Sequence, residues 1–168
     1  LARKVGVPIV PGTDDPVNRI EDALAFGRSV GYPVMIKASA GGGGRGLRVV
    51  QSEEELQASM ETSSREALSA FGDGSLFIEK YIARPHHIEF QILADRHGHV
   101  IHLGERDCSV QRRHQKLIEI APSLILTPAL RAEMAEAAMT IARAVDYNNA
   151  GTMEFLLDQD GKYYFIEM

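Results

Sequence analysis

An α+β fold is predicted for this chain of 168 residues. Helical and strand segments are mixed, neighbouring strands follow one another directly, and the regular strand–helix alternation of a doubly wound parallel sheet is missing. The chain is 45% hydrophobic and 24% charged, enough apolar material for one domain or two small lobes. A formal charge of -5 gives no broad attraction to nucleic acid or an acidic membrane surface. The single cysteine, Cys108, excludes an internal disulfide framework and four-ligand zinc spacings, and suits a reducing compartment. No apolar run approaches the roughly 18 residues of a membrane span, and no charged-then-apolar signal segment opens the chain.

Taken in order, residues 17–30 carry Ile20, Ala23 and Leu24 at helical spacing, with Gly31 just past the end. The strand 33–39 runs into a glycine loop at 40–46, and a second strand, Leu47–Val50, follows. Ser52 stands three residues before Glu55, a capping-box start for a helix to about Ala70 with Leu56, Met60 and Ala67 facing inward. The cluster Gly72-Asp73-Gly74 ends it. Strands are then predicted at 75–82, 86–95, 99–107 and 116–121, the second and third joined by a turn at Arg96-His97-Gly98. Thr127 caps a long helix with Pro128 at its first position and a buried stripe of Leu130, Met134, Ala137, Ile141 and Val145. Two more strands follow. A first lobe is expected to end near Tyr81.

The loop at 40–46 holds four consecutive glycines. Such a loop takes φ > 0 and brings bare N–H groups against an anion. Neither common nucleotide fingerprint applies. Lys37 precedes the loop where the P-loop lysine would follow it, and a strand follows the glycines where the dinucleotide motif requires a helix. A flexible surface hairpin is the plain alternative. Lys37 beside the loop favours a phosphate contact.

Spacing also singles out the last two strands. If Asp160-Gly161 is a two-residue type I′ turn, Gln159 pairs with Lys162, and counting outward sets Glu154 opposite Glu167. Like charges so placed destabilise a sheet, so a divalent cation, magnesium with nucleotide phosphates, is the natural partner. The alternative is an exposed acidic hairpin. Alternation puts Thr152 and Leu156 on the Glu154 face, an apolar surface for a base beside the metal.

On strand 86–93, Ile88, Phe90 and Ile92 share one face, and His87, Glu89 and Gln91 the other. The polar row either faces solvent or lines a site, and from the strand alone solvent is expected over it. The segment Glu105–Lys116 is dense in cations and suits a small anion such as phosphate or bicarbonate, or else forms a basic surface loop. Cys108 has no motif partner and reads as a small buried hydrophobe.

Several strings together resemble biotin carboxylase, of the ATP-grasp superfamily: Val10-Pro11-Gly12, Gly31–Ala40 with the glycine loop, Glu79-Lys80-Tyr81, Pro85-x-His87-Ile88-Glu89, Glu105–Lys116, Ala150-Gly151-Thr152-x-Glu154-Phe155-Leu156 and Phe165–Met168. They cover almost the whole chain in the family's order. The resemblance implies an ATP-grasp fold, with residues 1–8 a linker, 9–81 a small lid lobe and 82–168 part of a larger antiparallel-sheet lobe. Gly43 and Gly44 would close over ATP phosphates that Lys37 contacts, and Glu79, Lys80, Tyr81 and Ile82 would form the hinge strand along the adenine edge. His87 matches a ribose or phosphate contact, Leu156 the adenine packing residue, and His114 a nucleotide contact. Lys116 would hold bicarbonate with Gln111 nearby, and Glu154 and Glu167 would bind Mg2+ or Mn2+.

The activity so implied is ATP- and bicarbonate-dependent carboxylation of biotin through carboxyphosphate, the first half-reaction of an acyl-CoA or pyruvate carboxylase. Its partners would be a biotin carrier and a carboxyltransferase in a homo-oligomeric parent, located in the cytoplasm or, in a eukaryote, the mitochondrial matrix. No nucleic acid and no membrane are expected. His86 stands where the family usually has arginine. The family's Asn-x-Arg motif would follow Met168 and a further domain would precede Leu1, so the 168 residues are expected not to turn over alone. Two alternatives stand beside this reading. One is another bicarbonate-activating ATP-grasp enzyme such as the large subunit of carbamoyl phosphate synthetase, against which the Arg112–Lys116 run argues. The other is a non-catalytic nucleotide-binding module.

Overall fold

The computed structural model describes residues 1–42, 45–113 and 115–168. The chain divides into two compact units, one formed by Val10–Tyr81 and the other by Leu1–Ile9 with Ile82–Met168.

In the first unit, α1 (Ile20–Val30), β1 (Val34–Gly42), β2 (Arg45–Val50), α2 (Glu53–Phe71) and β3 (Leu76–Lys80) build a three-stranded antiparallel sheet in the order β2-β1-β3 beside two helices. Alternation along β1 explains the layering. Val34, Ile36 and Ala38 are buried with Val50, Leu56, Ala67, Leu76 and Ile78, whereas Met35 and Lys37 are only half-buried. β1 continues through Gly42, further into the expected glycine loop than the sequence suggests, and Gly42 pairs with Arg45. Gly46 allows β2 to approach β1 closely. Its φ is 76°, and a Cβ there would lie 2.8 Å from that of Ala38. Gly43 and Gly44 lie outside the described residues. The capping box at α2 is not formed as expected. Ser52 is the N-cap residue but makes no side-chain cap bond, and Glu55 instead accepts from the Gln51 backbone N–H at 3.2 Å.

The second unit holds β4 (His86–Ala94), β5 (Val100–Arg112), β6 (Gln115–Ile120), α3 (Pro128–Ala144), β7 (Asn149–Leu157) and β8 (Tyr163–Glu167), with a five-stranded antiparallel sheet ordered β6-β5-β4-β7-β8. One sheet face is apolar and packs with α3: Ile88, Phe90, Ile92, Met153, Phe155 and Leu157 with Met134, Ala138 and Ile141. Residues 1–8, expected as a linker, carry structure of their own. Ala2–Val5 form a 3-10 turn, Ala2 and Val7 join this core, and Ile9 bridges to Phe165. Apolar side chains near the start thus find burial that a linker would forgo. Thr127 caps α3 as predicted, its hydroxyl accepting from the Leu130 N–H at 3.2 Å. Val145, expected in the buried stripe, stands at the C-cap with non-helical backbone and is 41% exposed, while Ala135, Ala138 and Ala142 complete the stripe. Among the described residues, no helix is long and apolar enough to cross a membrane.

Cys108 is fully buried, as expected. Burial, reinforced by Glu89 and Glu119, pushes its thiol up to about 12. Alkylation by iodoacetamide at pH 8 is therefore expected to leave Cys108 intact in the native protein and to modify it once urea unfolds the chain. Mass spectrometry of the two samples checks this.

Candidate active site

The Glu154–Glu167 pairing expected from sequence is present, but the turn behind it differs. The Asp158 N–H donates to Lys162 O at 2.8 Å, so the loop is the three residues Gln159-Asp160-Gly161, with Gly161 at φ 80° and the Asp158 carboxylate accepting from the N–H groups of Asp160 and Lys162. Near the turn Leu157 faces Tyr163 and Phe155 faces Phe165. A register shift between Phe155 and Glu154 restores the predicted partners. Thr152, Glu154 and Leu156 share the half-buried face of β7, as alternation predicts, opposite buried Met153, Phe155 and Leu157.

Strand register then places four charged residues in a row across the sheet: Arg106 opposite Glu89, Glu89 opposite Glu154, and Glu154 opposite Glu167. Two adjacent carboxylates in the middle of a sheet repel unless a cation lies between them. Here the cation is Lys116, from β6. Its ammonium donates to Glu89 Oε2 and, at 2.7 Å, to Glu154 Oε1. The Arg106 Nε donates to the other Glu89 oxygen, Oε1, at 2.5 Å. The solvent expected over the polar row of β4 is therefore absent at Glu89, whose side chain is 4% exposed. Burial of that carboxylate requires paired charge, and β5 and β6 provide it.

His87 and Gln111 extend the cluster. Cα pairing sets His87 opposite Leu156, and His87 Nε2 lies 2.6 Å from Glu154 Oε2. The Gln111 amide donates to the Cys108 carbonyl at 2.9 Å and to His87 Nδ1 at 2.9 Å. The first bond orients the amide, and the second makes Nδ1 an acceptor, so the proton sits on Nε2 and is donated to Glu154. The hydrogen bond from His87, with that from Lys116, outweighs burial and brings the Glu154 carboxyl down to about 2. Burial alone would lower the Lys116 pKa, but its bonds to Glu154 and Glu89 more than offset this and hold the ammonium above the ordinary lysine range. For Glu89 burial opposes ionisation, yet Lys116 and Arg106 prevail and its pKa is lowered. The result is a half-buried cluster of two carboxylates, two cations and the His87 imidazole.

Among the described residues, ligand atoms of His87, Glu89 and Glu154 lie within 4.8 Å of one another. Glu167 is exposed on β8. Ionised Glu154 and its neighbour Glu167 are hard oxygen donors of the kind Mg2+ takes, so the donor chemistry fits that ion.

Of the remaining predicted contacts, Lys37, Glu79, Lys80 and Tyr81 lie in the first unit. Lys37 on β1 donates to Glu79 Oε2 on β3 at 2.9 Å. Lys80 donates to the carbonyl of Val30 at the end of α1 at 3.0 Å, and the Tyr81 N–H to Pro33 O at 3.2 Å. The chain passes from one unit to the other between Tyr81 and Ile82, and Ile82 is buried. His114 lies outside the described residues. Sequence reasoning missed the central roles of Glu89 and Arg106. Period-2 alternation put Glu89 on the polar face, but only the pairing of β4 with β5 and β7 shows what meets it there.

The whole chain, residues 1–168, matches the family described as carbamoyl-phosphate synthase L chain, ATP binding domain. The chain belongs to that family. Carboxylases are among its relatives. The chain is 54% identical over its full length to the 2-oxoglutarate carboxylase small subunit of Hydrogenobacter thermophilus, of which it spans 36%. It is 52% identical over its full length to the mitochondrial pyruvate carboxylase of Rattus norvegicus, of which it spans 14%. Among solved structures, the biotin carboxylase domain dimer of the Hydrogenobacter thermophilus enzyme, in complex with MgADP, ADP and bicarbonate, superposes with a TM-score of 0.91 at 54% identity. That match covers 99% of this chain and 37% of the other. The α+β, ATP-grasp expectation is borne out by this likeness and by the two antiparallel sheets.

Proposed function

We propose that this ATP-binding domain carboxylates biotin with ATP and bicarbonate, as the first half-reaction of an acyl-CoA or pyruvate carboxylase type enzyme. The observation that carries the reading is the Lys116 ammonium held by Glu89 and Glu154 in the middle of a half-buried sheet face. An ammonium has three N–H donors, and two are directed at those carboxylates. The third is available to an oxygen of bicarbonate, with Gln111 the strand partner of Lys116 on β5. Fixing that anion by a charge already oriented lowers the cost of bringing two anions, bicarbonate and the γ-phosphate of ATP, together. Attack by a bicarbonate oxygen on the γ-phosphorus forms carboxyphosphate and releases ADP. Carboxyphosphate then yields carbon dioxide and phosphate beside the ureido nitrogen of biotin.

In this reading Glu154 and Glu167 hold Mg2+ or Mn2+, which when bound offsets charge on the ATP phosphates. Lys37, kept extended by Glu79, contacts phosphate together with Gly43 and Gly44. Glu79, Lys80, Tyr81 and Ile82 form the adenine edge and the hinge strand at the end of a lid lobe, 9–81, which precedes the sheet lobe, 82–168. His87, His114 and Leu156 line the nucleotide. Biotin arrives on a carrier protein or domain, a carboxyltransferase consumes the product, and the parent is a homo-oligomer in the cytoplasm or mitochondrial matrix. The bicarbonate-bound and MgADP-bound relative supports this reading.

The test is ADP release by the protein that carries this chain, with Mg-ATP and with bicarbonate and free biotin added singly and together. Release that requires both additions is the expected result. Release indifferent to biotin would replace this reading by another ATP-grasp ligase, and ATP binding without release by a non-catalytic module.

A further inference from the structure

The Lys116 site depends on Glu89, and Glu89 in turn has a second anchor whose role the reaction above does not use. Arg106 donates from Nε to Glu89 Oε1 at 2.5 Å and from Nη2 to Gln91 Oε1 at 3.2 Å, and its Nε lies 3.4 Å from Glu119 Oε2. Gln91 is itself fixed, its amide donating to the Gly151 carbonyl of β7 at 3.0 Å. That bond turns the Gln91 oxygen toward Arg106. A guanidinium is a planar fork with its donors at set angles, so holding one edge on Gln91 dictates where Nε meets Glu89. A carboxylate rotates about its last bond unless one oxygen is held. Arg106 holds Oε1, and Oε2 is thereby presented to Lys116.

Charge points the same way. Glu89 and Glu154 sit opposite each other, and without Arg106 the Lys116 ammonium would hold Glu89 by itself while sharing Glu154 with His87. Its field would then be spent on them. With Arg106 neutralising one half of Glu89, Lys116 keeps positive charge for an incoming anion.

We infer that Arg106 is a positioning residue for bicarbonate. It acts through Glu89 to set the place and the unspent charge of the Lys116 ammonium, and it touches no substrate itself. This rests on the functional reading given above.

The experiment is steady-state ADP release by the whole enzyme, varying bicarbonate and ATP separately, for Arg106→Met, Arg106→Lys, Glu89→Gln and the double variant Arg106→Met/Glu89→Gln. Arg106→Met is expected to raise the KM for bicarbonate about tenfold and to leave the KM for ATP within about twofold. Arg106→Lys keeps a cation but loses the fork to Gln91, and is expected to recover part of the loss. In the Glu89→Gln background, adding Arg106→Met is expected to change the bicarbonate KM by less than about twofold, because the group through which it acts has been altered already. An equal effect in both backgrounds, an unmoved bicarbonate KM, or parallel rises in both KM values would overturn the inference. The unsubstituted enzyme separates the two claims. No bicarbonate-dependent release there sinks the functional reading and this inference with it, whereas normal release there with any of the three overturning results sinks this inference alone.

Discussion

Lys116→Ala is expected to lower bicarbonate-dependent ADP release by about a thousandfold, the order of loss found when an oriented charge is removed from a reacting anion. The geometry explains why so short a change costs so much. Lys116 is the shared partner of Glu89 and Glu154, whose side chains are 4% and 12% exposed. With the ammonium gone, two carboxylates face each other across β4 and β7, and only Arg106 and His87 remain to moderate them. The pKa of each is then expected to rise, since like charges sharing a site raise one another's pKa. The same variant therefore loses stability, by about 3 kcal/mol for a buried pair stripped of one partner. Melting temperature measured on the same preparation separates the two effects. A variant that is folded at the assay temperature and retains more than a tenth of the activity would show that Lys116 does not meet the reacting anion.

The largest effect on stability alone is expected at Phe155. Its ring is fully buried and makes edge contacts with Phe90, Tyr163 and Phe165 at centroid distances of 6.2, 5.8 and 5.8 Å. It ties β4, β7 and β8 together on the face that α3 covers. Phe155→Ala removes the ring from the meeting point of three aromatics, which leaves a cavity that their rigid neighbours cannot collapse. A loss of about 4 kcal/mol is expected, measured as a fall in the urea midpoint. The contrasting substitution is next door. Leu156 lies on the half-buried face of the same strand, and Leu156→Ala is expected to cost about 1 kcal/mol in the same measurement. Similar losses at the two positions would mean that the two faces of β7 are not distinguished as described.

These two predictions come from different levels of the molecule, and so does their legibility. The burial of Phe155 follows from alternation along β7, which a linear sequence displays: Met153, Phe155 and Leu157 against Thr152, Glu154 and Leu156. The Glu154–Glu167 pairing was also legible, although through a compensation. Counting from a two-residue turn reached the right partners because the longer loop, Gln159-Asp160-Gly161, is matched by one extra residue in β8 before Glu167. Asp158 makes the difference, since its carboxylate binds the N–H groups of Asp160 and Lys162 and so favours the longer loop. A side-chain bond of that kind is not read from spacing.

The sequence by itself determined the α+β class, the order of the elements, the buried Cys108, and the acidic pair on the last two strands, because each depends on periodicity or on residues close together in the chain. Only the tertiary structure decided the environment of Glu89. Its partners Arg106, Lys116 and Glu154 come from three other strands, at sequence separations of 17, 27 and 65 residues. Strand alternation says which way a side chain points, but the order β6-β5-β4-β7-β8 says what it meets. That order is settled by burying the shared apolar face against α3, a sum over many side chains that no local pattern contains.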